Sequence, residues 1–176
     1  MASRMSKTRL ILIVLIIVVV ALVGIAVRCS SSLLSQKAPD FTLPTMTGAN
    51  ITLSELEGTP VALNFWASGC GPCRVELPYF EAVAQETEGK IKVIAIDVGE
   101  SASTIQTFFG DYEPTMTVAL DGNRQVFVNY CHQDNPRGYI PLTLFVDSEG
   151  IVQYIKIGAF TSEEELWDTL HSIFEL

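Results

Sequence analysis

Two cysteines three positions apart, Cys70 and Cys73, are the residues of this chain best suited to covalent chemistry. At that spacing they can close a small disulfide ring. They lie between an apolar run, Val61 to Trp66, and a helical pattern that reaches about Glu88. A helix start carries N–H groups without intrahelical partners and a positive potential, so a thiolate is favoured there. Cysteines placed in this way have pKa values of roughly 3.5–7. Cys70, at or just before the first turn, is expected to be the exposed attacking sulfur. Cys73, one turn in, is expected to be the buried sulfur that resolves a mixed disulfide. Pro72 between them suits a first helical turn, where no N–H is needed. A structural disulfide and half of a zinc site are the other readings of the pair. Zinc would need a second pair of ligands, and Cys29, Cys131, His132 and His171 offer none at ligand spacing. The expectation is therefore no metal, and no cofactor beyond the Cys70–Cys73 disulfide itself.

Positioning such a pair requires a strand before it and a helix after it. Val61 to Trp66 is apolar except for Asn64, as for a strand buried on both faces. Pro78 lies inside the next helix and is expected to bend it. Upstream, Phe41-Thr42-Leu43 and Ile51-Thr52-Leu53 flank a Gly48-Ala49-Asn50 turn and predict a small hairpin, with a helical turn at Ser54 to Gly58. Downstream, strands are predicted at Ile91 to Val98, Thr115 to Leu120, Leu142 to Val146 and Ile151 to Ile157, the last two joined by a turn at Asp147 to Gly150. Helices are predicted at Ser101 to Phe109 and Gln125 to Tyr130, and a last helix is capped by Ser162 with Glu163, Glu164 and Glu165 in its first turn. The order β-β-β-α-β-α-β-α-β-β-α implies an α/β domain with a mixed central sheet flanked by helices and an N-terminal β-hairpin.

Charge divides the chain. All 20 acidic residues lie at or after Asp40, leaving seven basic residues from Lys37 onward and a net charge of −13 there. Such a domain repels phosphate backbones, which argues against a nucleic-acid partner. Leu10 to Val27 is an uncharged apolar run of 18 residues. As a helix it would rise roughly 27 Å, about enough to cross the hydrocarbon layer. Arg4, Lys7 and Arg9 would hold residues 1–9 in the cytoplasm and place the chain beyond Arg28 on the outer side. A cleaved signal peptide is the competing reading, with Gly24-Ile25-Ala26 as its cleavage site; either way the domain is exported. Cys29 invites a lipoprotein reading that Arg28 before it opposes. The expected organisation is residues 1–9 cytoplasmic, 10–27 a transmembrane signal anchor, 28–36 a serine-rich tether, and 37–176 the folded domain.

The segment Phe65-Trp66-Ala67-Ser68-Gly69-Cys70-Gly71-Pro72-Cys73-Arg74-Val75-Glu76-Leu77-Pro78 resembles the active site of thioredoxin-like proteins, most closely the membrane-anchored TlpA/ResA type. Ala38-Pro39-Asp40-Phe41-Thr42-Leu43 and Leu53 to Gly58 are similar to the opening shared with the AhpC/TSA (Redoxin) relatives. The resemblance implies a thioredoxin-like fold and a thiol–disulfide oxidoreductase acting on protein disulfides or dithiols. It implies a glutamate three residues after the second cysteine, here Glu76, on the same side of the helix as Cys73 and able to exchange a proton with it. It also implies a cis-proline loop opposite the cysteines, here Ile140-Pro141, offering main-chain groups to an extended substrate. Trp66, Gly71, Pro72, Ile140 and Pro141 are the expected substrate-side residues, with the Trp66 ring packed beneath the motif.

Three positions depart from that pattern: Gly69 replaces a bulky residue, the approach Cys131 to Gly138 is longer, and Leu142 comes after the proline. Cys131 could be a third redox sulfur or a lone thiol. The expected task is reduction of protein partners, fed by a membrane electron donor, with apocytochrome c as a favoured substrate by resemblance. The alternatives are an oxidant of secreted proteins, a non-catalytic binding module, and a peroxidase; for the last, the Thr-x-x-Cys of peroxidatic sites is missing around Cys70.

Overall fold

The computed structural model describes residues 32–131 and 134–174. Its centre is β3 (Val61–Trp66), buried along its whole length. Side chains alternate across a strand, so Val61, Leu63 and Phe65 join one apolar cluster while Ala62 and Trp66 join another on the opposite face. Asn64 falls on the second face, and there its polar group needs a partner.

Around β3 the sheet runs β5-β4-β3-β6-β7. β4 (Lys92–Val98) is parallel to β3, and β5 (Thr117–Asp121) is parallel to β4. β6 (Leu142–Val146) is antiparallel to β3, and β7 (Val152–Ile157) is antiparallel to β6. The parallel pairs need crossovers, and α1 (Gly71–Glu86) and α2 (Ala102–Phe109) supply them. α1, α2 and α4 (Glu163–Ile173) contribute Leu77, Phe80, Ile105, Leu166 and Leu170 to the cluster around Trp66 and Phe145. The short α3 (Gln125–Tyr130) and the hairpin of β1 (Thr42–Pro44) and β2 (Asn50–Thr52) cover the other face with Phe41, Leu43, Phe127 and Tyr130. Each fully buried side chain of this size contributes roughly 1.5–3 kcal/mol relative to exposure. The mixed sheet, flanking helices and hairpin are those expected; the helical turn before β3 is a 3-10 turn at Leu53–Leu56.

One sequence expectation changes. The folded unit begins at Leu33 rather than Lys37: the Ser35 N–H donates to Val152 O (2.7 Å) and the Val152 N–H to Gln36 O (2.9 Å). Serine-rich composition signals a free tether, but these main-chain groups are claimed by the start of β7. The first helix ends at Glu86, close to the predicted end, with Pro78 inside it. No helix among the described residues is long and apolar enough to cross a membrane; the predicted span 10–27 lies outside them.

Candidate active site

β3 ends at Trp66, and the chain turns sharply through Ala67-Ser68-Gly69, closed by a hydrogen bond from the Cys70 N–H to Ala67 O (3.0 Å). Cys70 is the N-cap of α1: its Sγ accepts from the Cys73 N–H at 3.3 Å, and Pro72 occupies the first turn. Cys70 and Cys73 form a disulfide with Cα atoms 5.3 Å apart. No acidic residue sits in the first turn to oppose the helix's positive end. Cys70 is half-buried and Cys73 has no exposed surface. A partner sulfur can reach only the first of the pair.

Glu76, one turn beyond Cys73, is completely buried. Its Oε1 accepts from Asn64 Nδ2 (2.7 Å) and its Oε2 from the Phe160 N–H (2.8 Å). Asn64 Nδ2 also reaches Thr143 Oγ1 at 3.1 Å on β6. Burial pushes the Glu76 carboxyl up to about 7, against the pull of the Phe160 N–H, the Asn64 amide and Lys156. A buried carboxyl that titrates near neutrality can take up or release a proton under working conditions. The sequence marks Asn64 as the polar residue in an apolar strand. The fold makes it the donor that orients Glu76.

The third wall comes from the register of β6. Leu142 pairs with Phe65, so one step back along the antiparallel pair brings Pro141 level with Trp66, beside the cysteines. The Ile140–Pro141 peptide is cis, and Ile140 O lies 3.9 Å from Cys70 Sγ. Gly69, Gly71 and Pro72 are exposed around Cys70. A Cβ at Gly69 would meet nothing within 4 Å, so this glycine leaves the surface open rather than satisfying a steric need. Trp66 does not belong with the substrate-side residues: it has no exposed surface and packs against Phe108 and Phe109 at ring distances of 5.1 and 5.8 Å. It supports the turn from below.

The sequence gives no hint of how Ser68 is held. Its N–H and Oγ both donate to the Glu100 carboxylate, each at 2.6 Å. The Glu100 N–H in turn donates to Oδ1 of Asp97 (3.0 Å), a buried residue paired with Trp66 in the β3/β4 register. Burial, with Glu100 and Asp121 nearby, drives the Asp97 carboxyl well above the usual range. For Glu100 the donors from Ser68 outweigh burial and hold its carboxyl low. Asp97, an acidic residue in the otherwise apolar Val93 to Val98, marks the far end of this network without pointing to Ser68. Cys131 carries no disulfide, and burial pushes its thiol up to about 11, so it is a poor nucleophile near neutral pH. Cys29 and His132 lie outside the described residues.

The AhpC/TSA family model matches residues 34–155. The chain is similar to the thioredoxin-like protein YneN of Bacillus subtilis, at 33% identity over 73% of this chain and 74% of that one. It is similar to the thiol-disulfide oxidoreductase ResA of the same organism, at 34% identity over 70% of this chain and 67% of the relative. Among solved structures, a candidate thiol:disulfide interchange protein DsbE from Chlorobium tepidum superimposes with a TM-score of 0.71, at 28% identity, over 81% of this chain and 99% of the other.

Proposed function

Because this chain belongs to the AhpC/TSA family and is a thioredoxin-like thiol–disulfide oxidoreductase of the ResA type, we propose that it is a membrane-tethered reductant of protein disulfides outside the cytoplasm. The observation that carries the exchange chemistry is the asymmetry of the pair. Cys70 is reachable at the positive end of α1 beside Ile140 O, while Cys73 is sealed in the core one turn from Glu76.

In the reduced protein the Cys70 thiolate attacks one sulfur of a partner disulfide. The Cys70–partner bond forms, the partner's S–S bond breaks, and the departing thiolate takes a proton. Cys73 then loses its proton to the Glu76 carboxylate and attacks the Cys70 sulfur. The Cys70–Cys73 bond forms, the Cys70–partner bond breaks, and the second partner sulfur leaves as a thiolate that takes a proton from water. The partner gains two electrons and the pair loses them, so a membrane electron donor must restore the dithiol. Gly71-Pro72 between the cysteines favours the reducing direction, and the apolar run 10–27 behind a basic N-terminus favours an extracytoplasmic domain. Family resemblance makes apocytochrome c a candidate substrate.

Cys73→Ser is the test, since it removes the resolving sulfur and should leave Cys70 bonded to its substrate, identifiable by mass spectrometry. No adduct, under conditions that trap a known thioredoxin, would overturn the exchange reading. A reduction potential nearer −120 mV than −270 mV would make the protein an oxidant instead. A membrane-impermeant thiol reagent should label reduced Cys70 on intact cells; labelling only after lysis would overturn the proposed location.

A further inference from the structure

The connection from α3 to β6 spans residues 131–141, and its described part folds around one side chain. Asn135 is 1% exposed. Its Oδ1 accepts from the Tyr139 N–H at 2.9 Å, and its Nδ2 donates to Tyr139 O at 2.6 Å. The same amide lies 3.8 Å from Cys131 Sγ, and the Gly138 N–H donates to Asn135 O at 3.0 Å. One buried amide thus holds both main-chain polar groups of Tyr139. Because the peptide unit is planar, gripping the Tyr139 carbonyl fixes the plane of the bond into Ile140. Ile140 in turn packs against both apolar clusters and directs its carbonyl to within 3.9 Å of Cys70 Sγ. The Tyr139 ring remains 53% exposed beside it, with Arg137 Nη1 at 3.3 Å from its hydroxyl.

We propose that Asn135 is a positioning residue for substrate recognition: it sets the Ile140–Pro141 edge on which a partner polypeptide lies and presents Tyr139 as a contact for that chain beside Cys70. The inference rests on the proposed exchange with protein partners and adds how this chain selects them. The occupant is an extended polypeptide flanking the partner's disulfide. Main-chain pairing along the Ile140 edge would serve any sequence. A large exposed aromatic ring next to it adds contact area at low entropic cost and discriminates among partners. A small disulfide needs only Cys70 and gains nothing from either feature.

The experiment compares two probes with the full-length reduced protein in detergent: insulin as a protein disulfide, and 2-hydroxyethyl disulfide as a small one. Asn135→Ala should lower kcat/KM for insulin by about ten- to a hundred-fold, chiefly through KM, as expected for a misplaced docking edge. The rate with 2-hydroxyethyl disulfide and the reduction potential should stay at their wild-type values. Tyr139→Ala should show the same split with a smaller loss. Because Tyr139 is half-exposed, that variant decides the matter if Asn135→Ala fails to fold. Equal losses with both probes, or an undiminished insulin reaction in either folded variant, would overturn the positioning role. A wild-type protein inert to both probes would instead overturn the exchange function beneath it.

Discussion

Replacing Glu76 with glutamine tests the link between its burial and its proton. Raising a carboxyl from its ordinary 4.5 to about 7 penalises the ionised form by about 3 kcal/mol. The folded state therefore holds a proton that the unfolded chain has released between those two values. Stability from this group is fully present below about pH 4.5 and is lost as pH rises through about 7. Glu76→Gln cannot ionise, so this slope should vanish. Its amide, however, puts an N–H2 group where one carboxyl oxygen stood, so one of the Asn64 Nδ2 and Phe160 N–H donors faces another donor, a pH-independent offset of about 1–3 kcal/mol. Urea unfolding of both oxidised proteins at a series of pH values isolates the effect, because all other titrating groups cancel in the difference. Relative to wild type, the variant should gain about 3 kcal/mol on going from below about pH 4.5 to above about pH 7. A difference that stays flat across that window would refute the claim that burial raises the Glu76 carboxyl, and with it the proposed proton exchange with Cys73.

Trp66→Ala should cost about 3–5 kcal/mol in urea unfolding, since it empties a fully buried site beneath the active-site turn. Glu100→Ala removes the carboxylate that holds the Ser68 N–H and hydroxyl. Amide hydrogen exchange at Ser68 should accelerate about tenfold or more while core amides in β3 are unchanged. Cys131→Ser should leave disulfide exchange at the wild-type rate, and iodoacetamide at neutral pH should alkylate Cys70 of the reduced protein well before Cys131.

Much of this site is legible along the chain because its physics is local. An apolar run, a tight turn and Cys70-Gly71-Pro72-Cys73 at a helix start identify the disulfide, its polarity and the more accessible sulfur. Helical spacing puts Glu76 on the Cys73 side, and a nearly unbroken apolar run marks β3 as buried on both faces. Periodicity and helix-end potential act over a few residues, so the residues themselves declare them. Tertiary structure decides the rest, since burial and hydrogen bonding depend on segments brought from far along the chain. Glu76 is raised to about 7 because distant segments bury it, against the pull of the donors from Asn64, 12 residues before it, and Phe160, 84 residues after it. Which rings close over Trp66 beneath the motif is decided the same way, by Phe108 and Phe109 arriving on α2. Ser68 meets Glu100 because β3 and β4 run side by side, and Ser35 and Gln36 lose their freedom because β7 supplies partners for their main chain. A dipeptide spacing can announce a reactive sulfur, but the proton it trades and the surface it faces arise only when distant segments exclude water together.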